Sequence, residues 1–309
     1  MSPRPMRARI AAGAIGVVAL ACLPAVGSAT SWGASNQAAD GDVIQVQADI
    51  TLTSALPAIT HGILIRGNGY TVSGGGAARV FRVSGTGAGK GVTIVFMTIT
   101  DGATGSDGAG VMVDTGAVLH LKDLNLVRNV GDACGGFSDS GTLTLDRVSV
   151  VGNRSTTGTG GGGGCVWGTL VASNSAFADN AANDFGGALV AIEGSTVTAI
   201  NSSFTGNVSY GDPAPGADAG GAIGMWGSGQ TPAISLVNSL FAYNYARRGS
   251  GYVLNDLAID PGFPVNPDLR SRYSMYGGAM PSVIDVSDQD VVYPGAADGS
   301  GDTLFGGGT

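Results

Sequence analysis

The sequence predicts an all-β fold, a right-handed parallel β-helix of about eight or nine coils. One repeat of alternating apolar residues occurs six times between residues 92 and 244. Its last five copies end on an asparagine, and Gly102 takes that anchor position in the first copy; the spacings are 27, 24, 27, 27 and 37 residues. The anchor asparagines are Asn129, Asn153, Asn180, Asn207 and Asn244. A repeat of this length with strand-like alternation is typical of a β-solenoid.

Each copy predicts three strands separated by bends. The first strand carries inward apolar residues ten and eight positions before the anchor, as Leu119 and Leu121 do in the second copy. The next inward residue comes five positions before the anchor, and this three-residue step indicates a bend. Three copies place Asn174, Asn201 and Asn238 at the bend, where asparagine tolerates the left-handed conformation. Because stacked amides also hydrogen-bond along a ladder, we predict a structural role for these asparagines and for the anchors.

The third strand of four copies follows a pair of glycines, since small residues let stacked backbones approach closely. These pairs are Gly135-Gly136, Gly163-Gly164, Gly186-Gly187 and Gly220-Gly221. The loop before the pair varies most in length, with long insertions over 154–162 and 208–219. Insertions gathered at one corner of a solenoid are typical of its functional face.

Residues 1–29 are predicted to be a signal peptide. Arg4, Arg7 and Arg9 precede an apolar run that ends in a small-residue cleavage site. The alternatives are a membrane anchor and a lipoprotein signal at Cys22. We therefore expect a secreted, extracellular or cell-surface protein that has no membrane span once the signal is removed.

The predicted β-helix covers residues 30–290, and a Gly-rich tail follows over 291–309. The net charge is −8 and only 12% of residues are charged, so nucleic acid is not an expected partner. Cys134 and Cys165 lie one coil apart in an exported chain, which favours a disulfide. Counted from the glycine pairs, however, the positions of the two cysteines differ by three residues. This offset strains the Cα separation that a disulfide requires. Both alternatives remain open at this point.

An acidic corner is the first candidate site. Asp184 and Asp218 each precede a glycine pair, and stacking would bring them about 5 Å apart on neighbouring coils. That separation suits a shared hard cation such as Ca²⁺, and no other cofactor is predicted. The alternative is that aspartate before glycine serves only the turn.

A pair of tryptophans is the second candidate site. Strand alternation turns Trp167 and Trp226 outward on the same sheet, two coils apart. Exposed indole faces suit stacking against sugar rings, so we predict that this pair binds ligand. The alternative is that each tryptophan covers a neighbouring loop.

Two short motifs recur within the copies. Phe177-Ala178-Asp179-Asn180 precedes Gly186-Gly187-Ala188-Leu189, and 204–207 and 220–223 repeat the pattern. These motifs resemble the FxxN and GGA[ILV] repeats of chlamydial polymorphic outer membrane proteins, which also occur in other secreted bacterial right-handed parallel β-helix proteins. The resemblance covers roughly residues 40–290 and implies the fold, whereas the group includes both adhesins and polysaccharide-acting enzymes.

We expect an exported, non-catalytic protein with a binding or structural role, whose partner is a polysaccharide or cell-surface glycan. The alternative is a polysaccharide lyase or glycoside hydrolase of pectate-lyase-like fold. In the lyases of that fold, stacked carboxylates hold Ca²⁺ and an arginine or lysine abstracts a proton. By that likeness, Asp184, Asp218 and Arg154 are the catalytic candidates, with Arg128 as a second possible base.

Overall fold

The structure is a computed structural model of the 309-residue chain. It describes residues 17–20, 38–85, 90–158, 160–211, 220–227, 229–248, 251–259, 268–272, 274–276, 285–286 and 291–292. Regular secondary structure in these ranges consists of β-strands. No helix in the described ranges is long and apolar enough to cross a membrane.

The described residues form 32 strands, most of them two to five residues long. In chain order they are β1 (Val17–Leu20), β2 (Val43–Val46), β3 (Ile50–Thr51), β4 (Leu64–Arg66), β5 (Thr71–Ser73), β6 (Phe81–Val83), β7 (Val92–Val95), β8 (Thr98–Thr100), β9 (Val111–Val113), β10 (Val118–Val127), β11 (Val130–Gly131), β12 (Phe137–Asp139), β13 (Thr142–Val151), β14 (Arg154–Ser155), β15 (Gly164–Val166), β16 (Thr169–Ser173), β17 (Ala176–Ala178), β18 (Ala181–Ala182), β19 (Leu189–Ile192), β20 (Thr196–Ile200), β21 (Ser203–Thr205), β22 (Val208–Ser209), β23 (Ile223–Trp226), β24 (Ala233–Val237), β25 (Leu240–Ala242), β26 (Tyr245–Arg248), β27 (Gly251–Leu254), β28 (Leu257–Ile259), β29 (Asp268–Arg272), β30 (Met275–Tyr276), β31 (Asp285–Val286) and β32 (Val291–Val292).

These strands stack in parallel as successive coils, which confirms the predicted all-β parallel β-helix. In the long sheet, Leu119 pairs with Val92 of the preceding coil and with Leu143 of the following coil. A corner sheet is formed by β11, β14, β18, β22, β26 and β27, with β26 and β27 antiparallel. A third sheet is formed by β6, β9, β12, β15, β19, β23 and β28. Each complete coil passes through the three sheets in this order.

Each coil crosses the long sheet twice, once before and once after the bend, and we call these two rows of strands the first and second arms. The first arm consists of β1–β2–β4–β7–β10–β13–β16–β20–β24–β29–β31. Ten of these strands lie within residues 30–290, slightly more than predicted, because β29 and β31 follow the last recognisable repeat. β1 lies inside the predicted signal peptide, and β32 covers the first two residues of the predicted tail. Processing of the signal stays a prediction.

The core is a column of side chains that point into the coils. Phe177, Phe204 and Phe241 are fully buried and stack in register, with ring centroids 4.7 and 4.6 Å apart. The rings are parallel to within 2°, since parallel pairing places identical positions directly above one another. The predicted inward positions of the first arm are buried in the same core.

The bend in the long sheet has a left-handed residue in every complete coil. Its φ angle is 52° at Asn174, 50° at Asn201 and 48° at Asn238, and Asp123 and Arg147 adopt the same conformation. The three asparagines are exposed, and their amides form a chain in which each donates to the previous coil.

The anchor asparagines are buried and form a second, interior ladder. Asn153 donates both its backbone N–H and its Nδ2 to Oδ1 of Asn180, and the same two bonds recur from Asn129 to Asn244. Each Nδ2 also donates to a backbone carbonyl, as Asn180 does to Val150. The interior ladder therefore satisfies polar groups that would otherwise be costly to bury.

The register of the third sheet differs from the predicted one by one residue. Phe137 pairs with Gly164, and Gly164 pairs with Leu189, so Gly163-Gly164 is not aligned with Gly135-Gly136. A Cβ on Gly164 would lie 2.4 Å from Cζ of Phe137, because the ring fills the space above this glycine. The packing of the phenylalanine ring thus fixes the register.

Cys134 and Cys165 form a disulfide, with their Cα atoms 5.5 Å apart. The predicted three-residue offset does not prevent it, because Cys134 lies in the corner loop and not in the strand that pairs with β15. The disulfide packs with Phe185, Val190 and Ile192 as a small apolar cluster on the outer face of the third sheet. The corner loop is therefore fixed onto that face.

Candidate functional site

Trp167 and Trp226 lie in one column on the outer face of the third sheet. Val166 pairs with Ala191 and Ile192 pairs with Trp226, so Trp167, Ile192 and Trp226 follow one another in register. The two indoles are two coils, or about 10 Å, apart. Trp167 is 38% exposed and Trp226 is 36% exposed, while Ile192 between them is buried. We call these three residues the tryptophan column.

A carboxylate lies beside the tryptophan column. Glu193, the chain's single glutamate, follows Ile192 directly, and its backbone N–H donates to the Trp226 carbonyl at 3.1 Å. Its Oε2 accepts a hydrogen bond from the Gly229 N–H at 2.8 Å. The surface thus combines two apolar ring faces with one acidic acceptor. The repeat pattern did not indicate Glu193, because this residue occurs in one coil only.

A concave groove follows the bend of the long sheet across three coils. Its volume is about 370 Å³. Its lining residues are Asn174, Ser175, Ala176, Asn201, Ser202, Ser203, Asn238, Ser239 and Leu240. The lining contains no charged side chain, in a protein whose net charge is −8. We call this feature the amide groove.

An ion-pair network marks the N-terminal end of the amide groove. Arg147 bonds to Asp123 and Asp146, and Lys122 also lies within ion-pair distance of Asp146. The hydrogen bond from Arg147 lowers the pKa of Asp123 below its ordinary value. Nδ2 of Asn174 donates to Oδ1 of Asp146 at 3.4 Å, so the row of exposed asparagine amides ends in a hydrogen bond to this ion-pair network.

The predicted catalytic and metal residues are not assembled into a site in the described ranges. Asp218 lies outside the described residues, so the pairing of Asp184 with Asp218 around Ca²⁺ stays a prediction. Arg154 is exposed at the corner, where it pairs with Ala181, and Asp184 comes three residues after that partner. Arg128 is bound in an ion pair with Asp101. Among the described residues, no three His, Cys, Asp or Glu side chains lie close enough to hold a metal ion.

Asp139 is a buried carboxylate in the core of the third sheet. Its register neighbours are Val113 and Val166, and its Oδ1 accepts a hydrogen bond from the Gly141 N–H at 2.9 Å. Its Oδ2 has no partner within the described part of the chain. Burial raises the pKa of Asp139 to about 7, although the Gly141 bond acts in the opposite direction. The sequence repeats gave no indication of this buried carboxylate.

No protein family model, no curated protein and no solved structure matches the chain. The resemblance to polymorphic outer membrane protein repeats therefore depends on the sequence motifs alone and stays a prediction.

Proposed function

We propose that the protein is exported and binds a neutral or weakly charged polysaccharide, without catalysis, through Trp167 and Trp226. The observation that carries this proposal is the tryptophan column: two exposed indoles in one register, two coils apart. Sugar rings present apolar C–H faces that stack on indole, and two stacking positions in line suit two units of one chain. Glu193 beside the column would accept hydrogen bonds from sugar hydroxyls.

Export is supported by two features of the chain. The first 29 residues have the charge pattern, apolar run and small residues of a signal peptide. The Cys134–Cys165 disulfide suits an oxidising compartment outside the cytoplasm. The likeness to secreted polymorphic-repeat proteins agrees with this location. A role at the cell surface or in the extracellular medium follows from the same features.

Charge favours a neutral ligand over a polyanion. With a net charge of −8, the protein would repel polyuronates unless cations bridged the two. Of the two candidate bases, Arg128 is bound in an ion pair with Asp101, and Arg154 has no carboxylate partner in the described ranges. We therefore propose that the protein binds a polysaccharide and does not cleave it.

The test is a binding screen on insoluble cellulose, chitin and xylan with the mature protein. Trp167→Ala combined with Trp226→Ala should weaken binding by about tenfold or more, since each stacking contact contributes about 1 kcal/mol. Tyr252→Ala is the matched control, because it removes a 53%-exposed aromatic ring from a different part of the surface. This control should bind like the wild type.

Two results would overturn the proposal. One is retention of full binding by the double tryptophan variant. The other is release of unsaturated products from a polyuronate in the presence of Ca²⁺, abolished by Arg154→Ala, which would establish a lyase instead.

A further inference from the structure

We propose that the amide groove is a second glycan-binding site, which holds a straight, neutral polysaccharide chain along the axis of the β-helix. This site is separate from the tryptophan column, because it lies on the bend of the long sheet. Three observations carry the proposal: the concave shape, the unused hydrogen-bonding capacity of the amides, and the absence of charge in the lining.

Three of the four serines that line the groove are already hydrogen-bonded to the backbone. Oγ of Ser202 donates to the Ile200 carbonyl at 2.9 Å and accepts from the Ser175 N–H at 3.3 Å. Ser175 and Ser239 make equivalent bonds. These hydroxyls therefore shape the floor of the groove and leave ligand contacts to the asparagines.

The asparagine amides retain one donor and one acceptor each. Nδ2 of Asn201 donates to Oδ1 of Asn174 at 3.3 Å, and Oδ1 of Asn201 accepts from Nδ2 of Asn238 at 2.7 Å. A primary amide has two N–H groups and two lone pairs, so one of each remains per coil. The mutual hydrogen bonds also hold the amides in fixed orientations, which lowers the entropy cost of binding.

The spacing of these groups defines the ligand class. The coils repeat at about 4.8 Å, so the groove offers a donor and an acceptor at that interval. A pyranose unit in an extended β-1,4-linked chain has a similar length and presents hydroxyls that both donate and accept. An α-1,4-linked chain curves and would leave this straight row after one or two units. A peptide strand presents its backbone groups at a different interval.

The ends of the groove also favour a neutral chain. At the N-terminal end, the carboxylates of Asp123 and Asp146 are paired with Arg147, so neither sign of charge dominates there. At the other end lies Leu240, which is 41% exposed and offers an apolar surface to a sugar ring. A polyanion or polycation would lose its hydration in the groove without gaining a counter-charge.

The test is calorimetric titration of the mature protein with cello-oligosaccharides and manno-oligosaccharides of increasing length, and with maltohexaose. Affinity should rise with length up to about three or four units, the span of three coils, and then level off. Maltohexaose should bind at least about tenfold more weakly. The substitutions Asn174→Gly, Asn201→Gly and Asn238→Gly together should reduce affinity by about tenfold or more. Glycine accepts the left-handed conformation at these positions, so the fold should survive.

Asn68→Gly is the matched control, because Asn68 has the same left-handed bend conformation but lies beyond the ion-pair network. Binding by this control should be unchanged, whereas the double tryptophan variant should lose only the binding that depends on the tryptophan column and keep the component that the triple glycine substitution removes. The proposal is overturned if no straight neutral oligosaccharide binds, or if the triple glycine variant binds as well as the wild type. Melting curves for every variant separate loss of the site from loss of the fold.

Discussion

Asparagine forms two separate hydrogen-bonded rows in this protein. One row is buried and faces the core, and the other is exposed at the bend of the long sheet. The buried amides from Asn129 to Asn244 donate toward the C-terminal coils, and the last donates to Oδ1 of the buried Asp256 at 2.8 Å. The exposed amides at the bend donate toward the N-terminal coils, and the last donates to Asp146. Both rows thus end on a carboxylate, the strongest acceptor a side chain offers to an amide donor.

Asn180→Ala should lower the free energy of unfolding by about 3–5 kcal/mol. The substitution leaves the backbone N–H and Nδ2 of Asn153 without their acceptor and removes the donor to the Val150 carbonyl. Urea denaturation of the variant measures this loss. Asn201→Gly is the control from the exposed row and should change stability by less than about 1 kcal/mol. Equal losses in the two variants would contradict a special role of the buried amides.

Asp139 makes the stability of the protein depend on pH. The pKa of Asp139 is raised to about 7 in the folded state, so the folded protein keeps a proton that the unfolded chain loses above about pH 4. The contribution of this residue to stability therefore falls as pH rises from about 4 to 7. The fall amounts to about 4 kcal/mol and is complete above pH 7.

Asp139→Asn should abolish this contribution, because the amide keeps an acceptor for the Gly141 N–H and cannot ionise. The variant should melt at a higher temperature than the wild type at pH 8, and the difference should nearly vanish at pH 4. Melting curves of both proteins across this range provide the measurement. Comparing the two proteins removes the effect of other carboxylates, such as Asp123, whose pKa is lowered and whose contribution has the opposite sign. A difference that does not change with pH would contradict the assignment.

At the scale of the element, one disulfide links the corner loop to the third sheet. The Cys134–Cys165 disulfide joins neighbouring coils and packs against Phe185 and Val190. The same outer face carries the tryptophan column one step further along the strands. The disulfide therefore stabilises the surface to which we assign binding.

Replacing Cys134 and Cys165 together by alanine should lower the free energy of unfolding by about 3–4 kcal/mol, the value expected for a loop closed over 31 residues. Denaturation with and without a reducing agent checks this. The wild type should lose stability on reduction, whereas the double variant should be indifferent to the reductant. Superimposable wild-type curves in the two conditions would show that the link contributes nothing.

The elements could be predicted where the sequence has alternation and a period. The long sheet and its bend followed from apolar residues at fixed distances from the anchor, as at Leu119 and Leu121. The third sheet was placed one residue out of register, because a run of glycines from 160 to 164 gives no side-chain signal. The inward position of Asp139 could therefore be seen only in the structure.

The candidate surfaces were predictable to different degrees. The outward direction of Trp167 and Trp226 could be inferred, because both lie at odd offsets from their glycine pairs whereas the inward Val166 lies at an even one. The amide groove could not, because its concavity depends on the angle between the two arms of the long sheet. A repeat shows which residues lie at a bend but does not give the angle of that bend.

At the scale of the molecule, the two proposed sites lie on different sheets of one rod. A single polysaccharide chain stacked on Trp167 and Trp226 would leave the groove around Asn201 free for a second chain. Two independent contacts would raise the effective affinity for a polymeric surface well above that of either site. Such a protein would cross-link chains and would suit a role in an extracellular matrix.

The interior ladder also has a consequence for how such a rod changes in length. Every coil from Asn129 to Asn207 offers an acceptor on one side and donors on the other, so the ladder itself sets no order among these coils. Duplication or loss of one 27-residue unit, such as the stretch from residue 181 to 207, would restore the same hydrogen bonds across the new junction. In-frame slippage within the gene could therefore lengthen or shorten the binding surface without an intermediate that fails to fold. Selection could then match the length of the rod to the length of its ligand.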